Sequence, residues 1–220
     1  MDTDAPMATA TDILTLTQWF SPAYPVGAFA YSHGLEWAID VGDVETAAQT
    51  SAWIEDILRH GAGWNDSLFL AAAYQAEAVD LNEIDATARA FAASSERLKE
   101  TRLQGDAFCD VTARVWATDL SRLTYPVSVG RAARLEGVPV ELATQFYLMA
   151  FVSNLAAVAM RLVPLGQIEG QKLIRDLAPL CTQIAEATSS ASLDDLTNTS
   201  FLGDIAAMKH ETQYSRIFRT

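Results

Sequence analysis

Cysteine and histidine are scarce in this sequence. Its 220 residues include 2 cysteines and 3 histidines, and these form neither a Cys-x-x-Cys pair nor a cluster with the spacing of metal ligands. This scarcity argues against a zinc site of the usual kind. Cys109 and Cys181 lie in apolar helical patterns, where a free cysteine behaves as a small buried hydrophobe. Such cysteine usage is typical of a reducing compartment, so we expect a cytoplasmic protein without a bound metal.

Positive charge is also scarce. The chain has 15 Lys and Arg against 28 Asp and Glu, a net charge of −13. A surface of this sign repels phosphate backbones and anionic lipids, so we expect no nucleic-acid binding and no membrane attachment. The longest apolar stretch, residues 142–165, is interrupted by Gln145, Asn154 and Arg161. These polar residues favour a buried central helix of a bundle over a membrane span.

Hairpin and catalytic motifs are missing as well. No Asn-Gly or Asp-Gly joins alternating runs, and neither a GxxxxGK[ST] loop nor a GxGxxG motif occurs. Ser32 and His33 are adjacent and cannot face each other on a helix. Glu36 and Asp40, four residues apart, have the spacing of a solvated helix face. We therefore predict no catalytic residues and no cofactor; a helical hydrolase with His33 or His210 as base remains an alternative that lacks a second positioned group.

Helical pattern is what the sequence has in abundance, and it predicts an all-α, single-domain helical bundle with a mobile C-terminal tail. The predicted organisation is a flexible N-terminal lead at 1–11, an all-helical domain at 12–187, a polar linker at 188–203 and a C-terminal partner-docking segment at 204–220.

Several helix boundaries follow from caps and breakers. We expect a first helix capped by Asp12, a second from near Tyr31 to Asp40, a third from 46 to 60, a fourth capped by Asn65 or Asp66 and running to Val79, a fifth from Asn82 to Phe91, a long one from Ser94 or Ser95 to Trp116, a most apolar one at 140–162, one from Gln167 to Ala187, and a last turn capped by Asp204. Gly105, inside a predicted helix, indicates close packing against a neighbour.

The last eleven residues, "HETQYSRIFRT" from His210 to Thr220, are unusual for a chain terminus. They combine aromatic and cationic residues, whereas chain ends are ordinarily polar and frayed. In a helical tail Tyr214 and Phe218, four residues apart, would share one face. Arg216 and Arg219 would then be available to pair with acidic groups of a partner.

Three segments together resemble a known family. They are "SPAYPVGAFAYSHGLEW" at 21–37, "RLVPLGQIEGQ" at 161–171 and "MKHETQYSRIFRT" at 208–220. In this order they closely resemble the urease accessory protein UreF, with weaker agreement in "LKETRLQG" at 98–105 and "YPVSVGRAARLEGVP" at 125–139. The family usually ends in Leu-Phe-Arg-Ser where this chain has "IFRT", a departure that preserves an apolar and a hydroxyl residue.

The resemblance implies a non-catalytic role. Proteins similar to this one are all-helical and tend to dimerise. They bind the accessory protein UreD, also called UreH, and then recruit the GTPase UreG. The assembly delivers nickel to apo-urease with GTP hydrolysis by UreG. The resemblance therefore implies a scaffold and regulator of UreG, a chaperone for metallocentre assembly, for which we expect no tight nickel site of its own.

The residues that match the three segments are the candidates for partner binding. They are Tyr24, Pro25, Gly27, Phe29, Tyr31, Ser32, His33 and Gly34 in the first segment, Pro164, Leu165, Gly166 and Gln167 in the second, and His210, Glu211, Tyr214, Ser215, Arg216, Phe218 and Arg219 in the third.

Each segment also has a purely structural interpretation. The first is either a fixed loop facing a GTPase or a helix–helix elbow with core aromatics; Phe29 fits both, and Ser32 and His33 are expected at the surface. Pro164–Gln167 is either a tight helix connection or an exposed elbow on a partner surface. The tail is expected to fold on binding UreD. A generic helical oligomerisation protein, whose tail swaps between protomers, remains an alternative.

Overall fold

The structure, a computed structural model, describes residues 8–120 and 122–219. This part of the chain contains ten α-helices and no strand, so the predicted all-α fold is confirmed. The helices are α1 Ala10–Trp19, α2 Leu35–Asp40, α3 Ala47–His60, α4 Ala62–Gln75, α5 Leu81–Ala90, α6 Ser95–Trp116, α7 Tyr125–Glu136, α8 Val140–Leu162, α9 Gln167–Thr188 and α10 Phe201–His210. Two 3₁₀ turns lie at Ala28–Ala30 and Leu193–Asp195.

Helix α8 runs through the middle of the bundle, as its apolar sequence predicts. Leu148, Val152 and Leu155 have no exposed surface, and the helix packs against α9, α4 and α2. Within the described residues α8 is the one helix long and apolar enough to cross a membrane by length and composition, but 56% of its apolar window is buried inside the protein. Its apolar character is therefore explained by packing.

Capping residues explain where several helices begin. Ser94 accepts a hydrogen bond from the Arg97 amide and caps α6, as predicted. Asp12 was predicted to cap α1, which is wrong. Thr9 is the N-cap, and Asp12 closes a capping box with it from the third helical position. Most of the predicted flexible lead, residues 1–7, lies outside the described residues.

Helix α2 is shorter than predicted. Tyr31 is extended, and His33 and Gly34 have left-handed φ values of 52° and 77°, so α2 starts only at Leu35. Tertiary packing is the reason. A Cβ on Gly34 would lie 2.6 Å from the Ala207 amide nitrogen of α10, so this backbone approaches a segment distant in sequence. Gly105 of α6 likewise lies directly against the Leu123 backbone, and its predicted close packing is confirmed.

Helix α4 begins at Ala62, one turn earlier than predicted, and ends at Gln75. The expectation that Asn65 or Asp66 caps it is wrong, because both are buried inside the helix and bind other segments. The Asn65 side chain donates to the Thr197 carbonyl at 2.6 Å and accepts from the Thr197 amide at 3.1 Å.

The stretch 188–203, predicted as a polar linker, lies along α3 and α4. The Trp64 indole donates to the Asp195 carbonyl at 3.0 Å, and the Ser200 hydroxyl donates to Asp56 at 2.6 Å. This stretch is thus hydrogen-bonded to α4 through the Asp195 carbonyl and to α3 through the Ser200 hydroxyl. Helix α10 then begins at Phe201, so the prediction that Asp204 caps it is wrong.

Candidate functional site

Residues 211–219, the tail, fold back onto the protein's own body. The Arg219 amide donates to the Ala30 carbonyl at 2.7 Å, and the Arg219 side chain bonds to Tyr31. The tail is not helical, so Tyr214 and Phe218 do not share a face as predicted. Tyr214 is fully exposed, whereas Phe218 is 5% exposed in the core, with the Arg161 guanidinium 5.6 Å from its ring centre.

Glu36 of α2 holds the tail backbone. Its two carboxylate oxygens accept hydrogen bonds from the Ile217 amide at 2.7 Å and the Phe218 amide at 2.9 Å. The spacing of Glu36 and Asp40 predicted a solvated face, which is wrong for Glu36. This side chain is 5% exposed, and the charge is compensated by two backbone donors and by His210.

His210, the last residue of α10, has no exposed surface. Its Nε2 lies 3.1 Å from Glu36 and its Nδ1 lies 2.7 Å from Glu96 of α6. Arg216 of the tail pairs with the second oxygen of Glu96. Both ring nitrogens of His210 therefore contact a carboxylate, each on a different helix. The two glutamates, His210 and Arg216 join α2, α6, α10 and the tail.

Glu211 completes the attachment of the tail at the start of α6. Its carboxylate accepts from the Ser95 amide at 2.8 Å, and hydrogen bonding from Ser95 lowers the pKa of Glu211. A carboxylate at this position also interacts favourably with the helix dipole. Glu211 therefore fixes the start of the tail to the N-terminus of α6.

The loop at residues 24–34 combines buried anchors with an exposed tip. Its exposed predicted residues are Pro25, Gly27 and Phe29, and its buried ones are Tyr24, Tyr31, Ser32, His33 and Gly34. The expectation that Ser32 and His33 lie at the surface is wrong. Tyr24 bonds through its hydroxyl to Thr112 at 2.7 Å, and the Asn154 side chain donates to the Tyr31 carbonyl at 2.9 Å.

His33 reaches a buried ionic network on three helices. Its Nε2 lies 3.0 Å from Glu100, and Arg97 bridges Glu100 at 3.1 Å and Asp66 at 2.6 Å. Asp66 also accepts from the Tyr147 hydroxyl at 2.7 Å. Burial by itself would raise the pKa of Glu100, but Arg97 and His33 outweigh it and lower this pKa to about 2. Glu100 is therefore an ionised acceptor at neutral pH.

The second predicted segment lies at the end of α8. Pro164, Gly166 and Gln167 are exposed, whereas Leu165 is buried. Arg161, which precedes this elbow, covers Phe218 of the tail. The structure therefore brings the tail against the first segment and against the end of α8. Ser215, Arg216 and Arg219 remain exposed beside Tyr214.

Two apolar surfaces were not predicted. One is the outer face of α10, where Phe201, Leu202, Ile205 and Met208 are 51% to 71% exposed. The other is a groove of about 620 Å³ between the end of α1, residues 20–29 and α8. Phe20, Phe29, Phe146 and Met149 contribute to its walls, and none of the described residues that line it is charged.

The described residues contain no group of three or more His, Cys, Asp or Glu side chains placed to hold a metal ion. Cys109 and Cys181 are buried and separate. Burial raises the pKa of the Cys109 thiol to about 11 and that of Cys181 to about 12. Both sulfurs are therefore protonated and poorly nucleophilic at neutral pH.

Fold and site together define an all-α protein that docks its C-terminal segment onto its own surface loop. The sequence model of the UreF family matches residues 44–178. The urease accessory protein UreF of Ruegeria pomeroyi is 64% identical over 97% of this chain and 100% of its own length. The proteins of that name from Roseobacter denitrificans and Cereibacter sphaeroides are 54% and 47% identical, over 100% and 94% of this chain and 96% and 98% of their own lengths. The chain belongs to the UreF family, and the predicted resemblance is confirmed.

Of the acidic residues of the site, the predictions included Glu211 but missed Glu36, Glu96 and Glu100. Glu36 and Glu100 are both inside segments quoted for the resemblance, "SHGLEW" and "LKETRLQG", yet Glu36 was assigned to a solvated face and Glu100 had no predicted role. A carboxylate between apolar neighbours such as Leu35 and Trp37 was the available signal. Glu96 had no such signal, because its partners His210 and Arg216 are distant in sequence. The spacing of Arg97 and Glu100 indicates their own pairing, but the third member, Asp66, is distant in sequence.

Proposed function

We propose that this protein is a non-catalytic scaffold and regulator of the UreG GTPase in the insertion of nickel into apo-urease. It acts in the cytoplasm and needs no cofactor. The observation that carries the proposal is the composite surface made when Glu36 holds the tail against the 24–34 loop. A surface built from two segments remote in sequence is available for recognition only while both are in place.

The exposed part of this composite surface is the proposed docking site for UreG. Phe29 is 50% exposed at the loop tip, and Arg219 lies beside Tyr31 at the end of the docked tail. An aromatic residue and an arginine are the side chains most often responsible for binding energy at interfaces. Binding to this surface would position UreG without any reacting group from the present chain.

The outer face of α10 is the proposed docking site for UreD. Its four large apolar residues are exposed along one side of the helix, and a patch of this kind marks a protein–protein contact. The opposite side of α10 packs against α2 and ends in His210. UreD bound to the outer face would therefore stabilise the helix that leads into the tail, and with it the UreG surface.

The uncharged groove beside α1 is the proposed homodimer surface. Two copies of a chain with a net charge of −13 repel each other wherever their acidic faces meet. The groove avoids this repulsion, and its α8 side places the partly buried Phe146 and Met149 beside a hollow of about 620 Å³. One uncharged apolar patch that faces its own copy suits the self-complementary interface of a two-fold dimer.

Sedimentation of the purified chain tests the dimer. We expect a dimer at micromolar concentration and a monomer after Met149→Glu, which introduces a charge into the groove. Leu103→Glu, at an exposed position of α6, is the control and should stay dimeric. A monomeric wild-type protein, or a Met149→Glu variant that remains dimeric, would contradict this proposal.

Reconstitution of urease tests the proposed function itself. Apo-urease, UreD, UreG, nickel and GTP are combined with and without this chain, and urease activity is measured. We expect activation to require the chain, and UreD to be needed before UreG co-purifies with it. Undiminished activation without the chain would refute the scaffold role. Capture of neither partner would instead support a generic oligomerisation protein.

A further inference from the structure

His33 adopts a backbone conformation that costs energy. Its φ of 52° is left-handed, a region that residues other than glycine rarely occupy. Such a conformation persists only where surrounding contacts determine it strongly, and it commonly accompanies a functional surface. The contacts that hold His33 therefore indicate what keeps the 24–34 loop in place.

Packing alone does not hold the His33 ring. The ring meets Phe151 edge-on at 4.6 Å, but cavities of about 60 Å³ and about 40 Å³ both border His33 and Arg97. Cavities of this size admit a water molecule. Side-chain packing therefore does not enclose His33 completely, and its hydrogen bond to Glu100 at 3.0 Å is a directional contact that holds the ring.

Glu100 is itself held rigidly. Arg97 pairs with it at 3.1 Å and the Gln104 amide donates to it at 2.9 Å. Arg97 is in turn fixed by Asp66 of α4 at 2.6 Å. Since a carboxylate of this kind only accepts hydrogen bonds, Nε2 of His33 is the donor in this contact.

The turn at His33 separates the two halves of the composite surface. Upstream lie the exposed tip at Phe29 and the Ala30 carbonyl, which accepts from Arg219. Downstream lies Glu36, which accepts from the Ile217 and Phe218 amides. These two acceptors therefore flank the same turn, and the buried hydrogen bond from His33 to Glu100 links that turn to α6, beside the backbone bond from the Leu35 amide to the Ser32 carbonyl.

We propose that His33 and Glu100 are a positioning pair: their buried hydrogen bond fixes the left-handed turn and so determines whether the tail docks. Both side chains are buried, so the pair acts through the position of the loop. The inference rests on the proposed function only for its last step, the recruitment of UreG, because docking of the tail is a property of the chain alone.

Hydrogen exchange in the purified full-length chain tests the pair. His33→Gly removes the ring but accepts the left-handed conformation without strain, and Glu100→Gln keeps the shape but removes the charge. We expect the Ile217, Phe218 and Arg219 amides to exchange about tenfold faster or more in both variants. Unchanged protection of these amides in His33→Gly would overturn the proposal.

Asp85→Asn is the matched control for general loss of stability. Asp85 is another buried carboxylate, bonded to the Thr124 amide at 2.6 Å and to Arg89 at 2.7 Å, and it contacts neither loop nor tail. Its replacement should lower the denaturation midpoint while leaving exchange at 217–219 unchanged. If hydrogen exchange at the tail amides rose equally in Asp85→Asn, the effect would reflect a general loss of stability and would contradict the proposed positioning pair.

Wild-type exchange gives a second test that needs no variant. The loop amides of Ala30 and Leu35, bonded at 3.2 Å and 3.0 Å, should open together with the tail amides and more often than those of α8. A tail that opens far more often than the loop would refute the coupling. Capture of UreG by the His33→Gly and Glu100→Gln variants is measured separately. If the tail amides exchange faster but UreG is captured normally, the positioning pair is supported and the proposed UreG docking site is rejected.

Discussion

The two faces of helix α10 reverse the usual arrangement of a surface helix. The inner face, against α2 and α3, buries Gly203, Ala206 and His210, which are small or polar. The outer face exposes Phe201, Leu202, Ile205 and Met208, which are large and apolar. An ordinary amphipathic helix does the opposite.

The two faces of α10 therefore have different roles. The inner face contributes little apolar burial and relies on close backbone approach and on hydrogen bonds to Glu36 and Glu96. Such contacts are specific but need every partner in place. The outer face leaves half or more of each large apolar side chain exposed, so this area is available to a partner. Changes to one face should affect tail docking, and changes to the other should affect partner affinity.

The largest effect is expected from Glu36→Ala on the inner side. It leaves the Ile217 and Phe218 amides and His210 without their shared acceptor, at about 1–3 kcal/mol for each buried group left unpaired. The tail should detach, and UreG capture by the UreD-bound chain should fall about tenfold or more. Limited proteolysis of the tail and co-purification measure this. Asp40→Ala, exposed on the same helix, should behave as wild type; a protected tail in Glu36→Ala would contradict the role of Glu36.

Gly34→Ala should be next. The alanine would carry a left-handed φ, which costs about 1–2 kcal/mol, and its Cβ would lie 2.6 Å from the Ala207 nitrogen. We expect α10 to pack less closely against α2, and the denaturation midpoint of the protein to fall. Gly137 has a similar φ of 70°, and a Cβ there would have nothing within 4 Å. Gly137→Ala therefore measures the cost of the left-handed φ alone, without the steric clash that the Gly34 Cβ would make with α10. Equal losses in the two variants would show that the close approach of α10 has no energetic weight.

Ile205→Asp tests the outer face. Burying an isoleucine contributes about 1.5–3 kcal/mol, so affinity for UreD should fall about tenfold or more, with thermal stability and tail protection unchanged. Titration calorimetry with UreD measures the affinity. Leu14→Asp, at an exposed position of α1, is the control. Undiminished UreD affinity in Ile205→Asp would remove the outer face from the proposed interface.

The smallest effect concerns acid stability. The pKa of Glu100 is lowered from 4.5 to about 2, so the ionised form is stabilised by folding. Its contribution is complete above about pH 4.5 and is lost as the pH falls toward 2. Urea unfolding at pH 6, 4 and 3 should therefore show the stability difference between wild type and Glu100→Gln shrinking with acid. A difference that grows on acidification would contradict the ionised state assigned to Glu100.

The helices that the sequence predicted well are those with local signals. Residues 140–162 and the helix from Ser95 to Trp116 have long periodic patterns, and Ser94 is a local cap. The predicted start of α2 was wrong because the Gly34 backbone packs closely against α10. The predicted cap of α4 was wrong because the Asn65 side chain pairs with Thr197. In both cases a contact across the fold outweighed a local preference.

The candidate site divides in the same way. The three segments were found by their resemblance, and the structure joins the first and third. Their internal arrangement was not foreseen: His210 and Phe218 are buried and Tyr214 is not. Spacing along the chain predicts which side chains share one face of a helix. It does not predict that the backbone amides of the tail will bind Glu36.

The sequence by itself determined an all-α fold, an apolar central helix and the family to which the chain belongs, because periodicity, caps and extended motifs are local properties of the chain. Only the tertiary structure decided that Glu36, Glu96 and His210 meet, that the tail of "HETQYSRIFRT" docks beside the 24–34 loop, and that α10 exposes its apolar side. Those outcomes depend on contacts between residues more than a hundred positions apart, which no local pattern specifies.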